Sequence, residues 1–216
     1  MQTKSERTRA RLLQAARDLY QLKGYRNTSI DDVCNHIGAT KGSFYYHFSS
    51  KIQALYALLQ SDIEKELLLV KAEEPCLNKL LCFSCQLLAK PEILTALLDS
   101  EDGPVFRHMA HRLFFDTVFP KVKDYIASLK EQGEAFYLDE KLPDLVFGGF
   151  LSGMIDLIDE GYQARDDEKR LLSVCTLFIK ATRRLFEEAF HLSYGSVHIM
   201  DAKALSQLLL NALKTP

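Results

Sequence analysis

The chain has 216 residues, enough for one large or two modest domains with a real core, and its 47% hydrophobic and 26% charged residues are ordinary for a soluble globular protein. Five cysteines, an odd number without a regular framework, point away from a secreted disulfide scaffold and toward a reduced, cytoplasmic protein. A net charge of −2 would argue against a nucleic-acid binder, but residues 1–51 hold nine Lys/Arg and four Asp/Glu, so a head of +5 precedes a remainder of −7, the footprint of an N-terminal nucleic-acid-binding domain.

The polar start, from Met1 to Arg7, lacks the apolar core of a secretion signal. Residues 3–23 read as one amphipathic helix. Thr3 and Glu6 have capping-box spacing, Leu12, Ala16, Leu19 and Tyr20 make an inner stripe, and Gly24 ends the helix. Arg7, Arg9 and Arg11 near its start suit either a solvated face or phosphate contacts.

Residues 28–51 hold the informative pattern. Thr28 reads as an N-cap with Asp31 three residues on, and Asp31 and Asp32 favour the positive end of a helix dipole. Ile30, Val33, Cys34 and Ile37 recur on one helical face, and Gly38 supplies a left-handed stop. Thr40 caps a second helix of about two turns, 41–47, giving a helix-turn-helix. Phe44 and Phe48 are spaced to bury, which leaves Lys41, Ser43, Tyr45, Tyr46 and His47 facing outward. Hydroxyls and an imidazole suit phosphates, Lys41 reaches a base edge, and Gly42 allows close backbone approach. Ser50 and Gln53 read as another capping box, with Lys51 in the first turn of the next helix, where a phosphate would bridge it to free N–H groups.

These residues, Thr28-Ser29-Ile30, the run from Gly38 to Phe48, and Ser49-Ser50-Lys51, closely resemble the DNA-binding signature of the TetR family of bacterial transcriptional regulators. The resemblance covers about the first 50 residues. Cys34, His36, Ile37 and Ile52 depart from the family's usual residues. The resemblance implies a DNA-binding set of Thr28, Ser29, Thr40, Lys41, Gly42, Ser43, Tyr45, Tyr46, His47 and Lys51, with double-stranded operator DNA as partner. It also implies a homodimer and a helical body holding a small-molecule inducer.

A helix over 50–73, with Ile52, Leu55, Leu59, Ile63 and Leu67 at helical spacing, must join head to body, because no Gly- or Pro-rich linker intervenes before Pro75. The rest reads as helices over 77–90, 92–98, 104–131, 142–162, 167–191 and 201–213, broken at Gly and Pro. With no strand-period segment the expected fold is all-α: a helix-turn-helix domain over 1–50, then a ligand-binding and dimerisation domain over 51–216. The most apolar stretch, 145–158, is interrupted by Ser152 and Asp156 and too short to span a membrane.

The helices over 142–162 and 167–191 are broadly apolar. Gly149, Gly153 and Leu157 on the first, with Leu177, Phe178 and Leu185 on the second, are the expected dimer interface; cover by the C-terminal helix is the alternative. Aromatic residues gather in the body. Following the family's central cavity, Phe83, Phe106, Phe114, Phe115, Phe147 and Phe150 become candidate linings, with Gln86 or His111 as polar anchors, and their character favours an apolar inducer. Cys82 with Cys85 and His108 with His111 have the residue types of a zinc site, but they sit on two helices that nothing brings together, so no metal or cofactor is expected. No nucleophile elbow, P-loop or H-E-x-x-H pattern occurs, and acidic pairs such as Glu73-Glu74 are splayed on a helix, so no catalytic residues are assigned.

Overall fold

The computed structural model describes residues 3–69 and 77–214, and among these it is all-helical. The head consists of α1 (Lys4–Lys23), α2 (Ile30–Ile37) and α3 (Lys41–His47). Helix α4 (Lys51–Leu69) follows directly, and the body comprises α5 (Leu77–Leu88), α6 (Pro91–Leu97), α7 (Gly103–Thr117), α8 (Phe119–Glu131), α9 (Leu142–Gln163), α10 (Glu168–Ala189) and α11 (Ala202–Leu213). The end expected for α4, including Pro75, lies outside the described residues.

Local chemistry sets most of the boundaries. At α1 the capping box is complete: Thr3 accepts from the Glu6 N–H while the Glu6 carboxylate accepts from the Thr3 N–H. At α2 the cap is Ser29, one residue later than expected. Ser29 and Asp32 form the reciprocal pair, and Lys23, with the Ser29 N–H and hydroxyl, holds the Asp32 carboxyl well below the usual range. Thr28 is instead buried, its hydroxyl donating to the Gly24 and Leu19 carbonyls. Gly38 closes α2 at φ 67°, and the Ala39 N–H donates to the Cys34 carbonyl at 2.9 Å.

The helix expected over 104–131 is two helices. Its interior contains Pro120, which has no N–H and whose ring clashes with the preceding turn. The chain breaks at Val118, and Pro120 falls in the first turn of α8, where its missing N–H costs nothing. Pro91, Pro104 and Pro143 occupy the same early position in α6, α7 and α9.

One continuous core runs from head to body. Leu12, Ala16, Phe44 and Phe48 pack the head, and Cys34 and Ile37 fit against them with His36 left at the surface. Helix α4 buries Leu55, Leu59 and Ile63 and packs on α1 on one side and on α5, α6 and α7 on the other. Helix α6 also touches α1, so the head rests on the body through two elements. Among the described residues no single helix is long and apolar enough to cross a membrane; α5 and α6 are jointly apolar but bent by 71°, and they are core helices.

Candidate nucleic-acid interface

Helix α3 is fixed from beneath. Phe44 is fully buried and Phe48 nearly so, their rings 5.5 Å apart, so only one rotation of this short helix satisfies the core. Thr40 anchors its start by accepting from the Ser43 N–H at 3.2 Å. The opposite face then lies in solvent: Lys41 and Gly42 are exposed, as are Tyr45 at 54% and Tyr46 at 77%, with Ser43 and His47 partly so. The His47 ring meets Tyr46 edge-on at 4.9 Å. This face thus presents phosphate donors, one long cation and a close-approach glycine together.

Lys41 is not an isolated cation. Its ammonium lies 2.9 Å from the Asp31 carboxylate on α2, an exposed pair whose bond raises the Lys41 pKa. Nothing in the local pattern signals this contact. Arg9 and Arg11 also belong to this side of the head: Arg9 lies 5.2 Å over the Phe48 ring, and Arg11 donates to the Ile37 carbonyl. Ser29 and Thr40 are exposed at the starts of α2 and α3.

Two expected DNA contacts are withdrawn. Thr28 is 1% exposed with its hydroxyl committed inward. Lys51, only partly exposed, is engaged within the chain: its ammonium donates to the Tyr25 carbonyl at 3.1 Å and sits 4.0 Å over the Tyr25 ring. Burial pushes its pKa down despite nearby acids. At the opening of α4 the Gln53 N–H donates to Ser50, as its spacing requires.

Beneath the interface is a polar junction that sequence reading missed. Arg17 of α1 donates to both carboxylate oxygens of Asp62 on α4, at 2.7 and 3.0 Å. Lys90, just after α5, reaches Asp62 at 2.6 Å. Burial raises the Asp62 pKa, but these two cations outweigh it and the net shift is downward. Arg17 lies 3.7 Å from Glu92 of α6, which is 1% exposed and also accepts from Gln21. Nearby, the Tyr25 hydroxyl donates to Asp102 at the start of α7. Burial first, then that carboxylate, raises the Tyr25 pKa.

The expected effector residues sit in a packed cluster. Phe106, Phe114, Phe147 and Phe150 are essentially buried, Phe83 is nearly so, and Phe115 packs against Phe147 at 5.6 Å. Phe119 stacks on Phe147 at 5.3 Å. A cavity of only about 10 Å³ borders His111 and Phe114, room for no more than about one water. Gln86 is on the exposed side of α5, so it does not anchor anything inside. Cys85 is buried 3.4 Å from the Met154 sulfur and His111 packs on Phe115; among the described residues no three His, Cys, Asp or Glu side chains gather as a metal site.

The expected interface residues divide. Leu157 is 3% exposed and belongs to the chain's own core. A Cβ at Gly149 would lie 3.6 Å from Leu185, and one at Gly153 would lie 3.4 Å from Phe178. These glycines therefore seat the chain's own α10 side chains. The outward face that remains carries Leu145, Leu172, Leu177 and Leu185, with Val174 and Phe178 partly buried beside them.

Comparison with known proteins bears on this geometry. Residues 12–57 match the family described as bacterial regulatory proteins, tetR family. The chain is 26% identical over 180 residues to the HTH-type transcriptional regulator SrpR of Pseudomonas putida, covering 79% of this chain and 82% of that protein. It is 34% identical over 67 residues to the regulator UidR of Escherichia coli K12, covering 31% and 34%. The fold matches the crystal structure of RolR in complex with resorcinol, with a TM-score of 0.53 at 19% identity, over 99% of this chain and 96% of that one.

Proposed function

We propose that this chain, which belongs to the TetR family of bacterial regulatory proteins, is a cytoplasmic homodimeric repressor that leaves its operator when a small molecule binds the body. It is a DNA-binding transcriptional regulator and not an enzyme. The observation that carries the reading is the face of α3: Lys41, Gly42, Tyr45 and Tyr46 stand in solvent because Phe44 and Phe48 are locked into the head. A helix displayed this way fits a major groove, with Lys41 placed for a base edge and Tyr45, Tyr46 and His47 for phosphates.

A two-turn helix reads few bases, so a second head is needed for selectivity. The apolar outer face of α10, led by Leu177 and Leu185 with Leu145 of α9, supports pairing of two copies there. The two heads would then meet a palindrome. Release follows when the effector favours a body conformation that changes head spacing. An apolar inducer among the aromatic residues would need Phe114, Phe147 and Phe150 to move apart, because all three are buried against their neighbours. The resorcinol of RolR belongs to that protein, whose likeness to this chain speaks for the fold.

A mobility-shift titration with DNA from the chain's own upstream region tests the proposal. Saturable binding that survives excess unrelated DNA is expected. Binding abolished equally by any competitor DNA would reject a sequence-specific regulator.

A further inference from the structure

We propose that a preformed cavity at the start of α5 is an effector site for a neutral polyhydroxyl compound, a saccharide or glycoside, and that α5 carries its occupancy to the head. The site's consequence for DNA rests on the regulator reading above; its ligand chemistry does not.

The cavity measures about 590 Å³ and lies between the start of α5, the end of α8 and residues 191–197. That volume is within the ordinary range for small-molecule sites. Leu77, Leu129 and Val197 give it an aliphatic side, while Ser193 and Glu134 supply hydrogen-bonding groups, with one N–H and one lone pair left over on the Asn78 amide. A sugar ring has the same division: C–H faces that bury against aliphatic groups and hydroxyls that both donate and accept. Among the described residues of the wall Glu134 is the only carboxylate and no Lys or Arg is present, so an anionic ligand meets a repulsion that only the His191 ring is there to offset.

The wall is held in place before any ligand arrives. Glu187, buried on α10, accepts from the backbone N–H groups of Gly195 at 2.8 Å and Val197 at 3.2 Å. Asn78 accepts from the His198 N–H at 2.8 Å and donates to the Ser196 carbonyl at 3.1 Å. His191 turns the chain into this loop at φ 52°, the one positive φ at a non-glycine residue among the described residues. Such a conformation persists only where surrounding contacts enforce it, and a loop already ordered spends less binding energy on ordering.

Helix α5 connects this wall to the junction under the head. Asn78 is its second residue, and Lys90 follows its end with the ammonium on Asp62, which Arg17 of α1 holds from the other side. Twelve helical residues span about 18 Å. A ligand that pulls on Asn78 displaces a rigid rod whose far end touches the head's anchor.

The test uses the isotope-labelled full chain and a panel of methyl glycosides of glucose, galactose, mannose and N-acetylglucosamine at millimolar concentration, with glucuronic acid as the anionic counterpart. At least one methyl glycoside should shift the backbone amide signals of Ser193, Ser196 and Val197, and Ser193→Val should weaken that response at least tenfold with the spectrum otherwise unchanged. Silence from the whole panel, shifts confined to the aromatic body, or equal binding of glucuronic acid would overturn the site. Operator binding is measured in parallel. Operator DNA should weaken the glycoside's affinity by about 5- to 150-fold, and Lys90→Met should abolish that coupling while leaving glycoside binding intact. Coupling unchanged in Lys90→Met would overturn the α5 route. A chain that binds the glycoside but no DNA would reject the regulator reading and leave the site standing.

Discussion

Arg17 grips both oxygens of Asp62 across 45 residues of sequence, at 2.7 and 3.0 Å, and so ties the first helix of the head to the helix that leads into the body. Lys90 binds the same carboxylate from α5, so Asp62 is shared by the head and the body. A motion in the body thus has a charged route to α1 as well as the packed route along α4. Replacing Asp62 by Ala should destabilise the protein by about 1.5–3 kcal/mol, the range for hydrogen bonds to charged groups, because two cations lose their partner. An Arg17→Ala/Asp62→Ala pair should cost clearly less than the two single changes added together. Additive costs in denaturant titrations would mean that the pair contributes nothing jointly.

The same carboxylate predicts an acid response. The folded pKa of Asp62 is lowered, so its contribution is present above the unfolded carboxylate value and is lost as pH falls through the folded one. The stability gap between wild type and Asp62→Asn should be widest near neutrality and should close below about pH 4. A gap that stays constant over that range would remove Asp62 ionisation from the junction.

The Lys41–Asp31 pair makes a prediction about selectivity. Lys41→Ala should cost about 1–3 kcal/mol on a cognate operator and much less on scrambled DNA, the mark of a base contact. Asp31→Asn should release the ammonium and tighten binding to scrambled DNA more than to the operator. Equal losses on both DNAs for Lys41→Ala would make it a phosphate contact.

Lys51 and Tyr46, which the motif places together on DNA, should separate: only Tyr46 should act there. Lys51 is spent on Tyr25, so Lys51→Met should leave the salt dependence of DNA binding unchanged and lower the stability of the head. Tyr46→Phe should leave stability unchanged and weaken binding to all sequences by about 0.5–1.5 kcal/mol. A salt slope that falls by about 0.9 per lost contact in Lys51→Met would return that residue to the phosphates.

Pairing through α10 is tested at Leu177, which is 65% exposed in the single chain. Leu177→Arg should give a monomer in sedimentation, with normal helicity and greatly weakened operator binding. The glycines are poorer probes: a side chain at Gly153 meets Phe178 of its own chain, so failure there reports internal strain. A Leu177→Arg protein that remains dimeric would move the interface elsewhere.

How much of this was legible depends on the range of each interaction. Caps and stops act within a turn, and the sequence places Thr3 with Glu6, Gly38 and Thr40 correctly. The α2 cap slipped by one residue because Thr28–Asp31 and Ser29–Asp32 have the same spacing; burial of Thr28 decides between them. Pro120 lies inside a strongly helical pattern that hides the boundary between α7 and α8. The candidate site was legible on α3, where Phe44 and Phe48 dictate what faces out. It was not legible for Lys51, Gln86 or Leu157, whose directions are set by neighbours distant in sequence. Arg17–Asp62 and Lys41–Asp31 leave no periodic trace at all.

Selection from a random duplex library measures most directly whether two copies of α3 read DNA. The wild-type chain should enrich a two-fold symmetric site whose half-sites lie about 34–36 Å apart, in successive major grooves. A chain carrying Lys41→Ala, Tyr45→Ala and Tyr46→Ala, all surface changes, should enrich nothing while keeping its fold. Enrichment of the same site by the triple variant, or no enriched sequence from the wild type, would contradict the account.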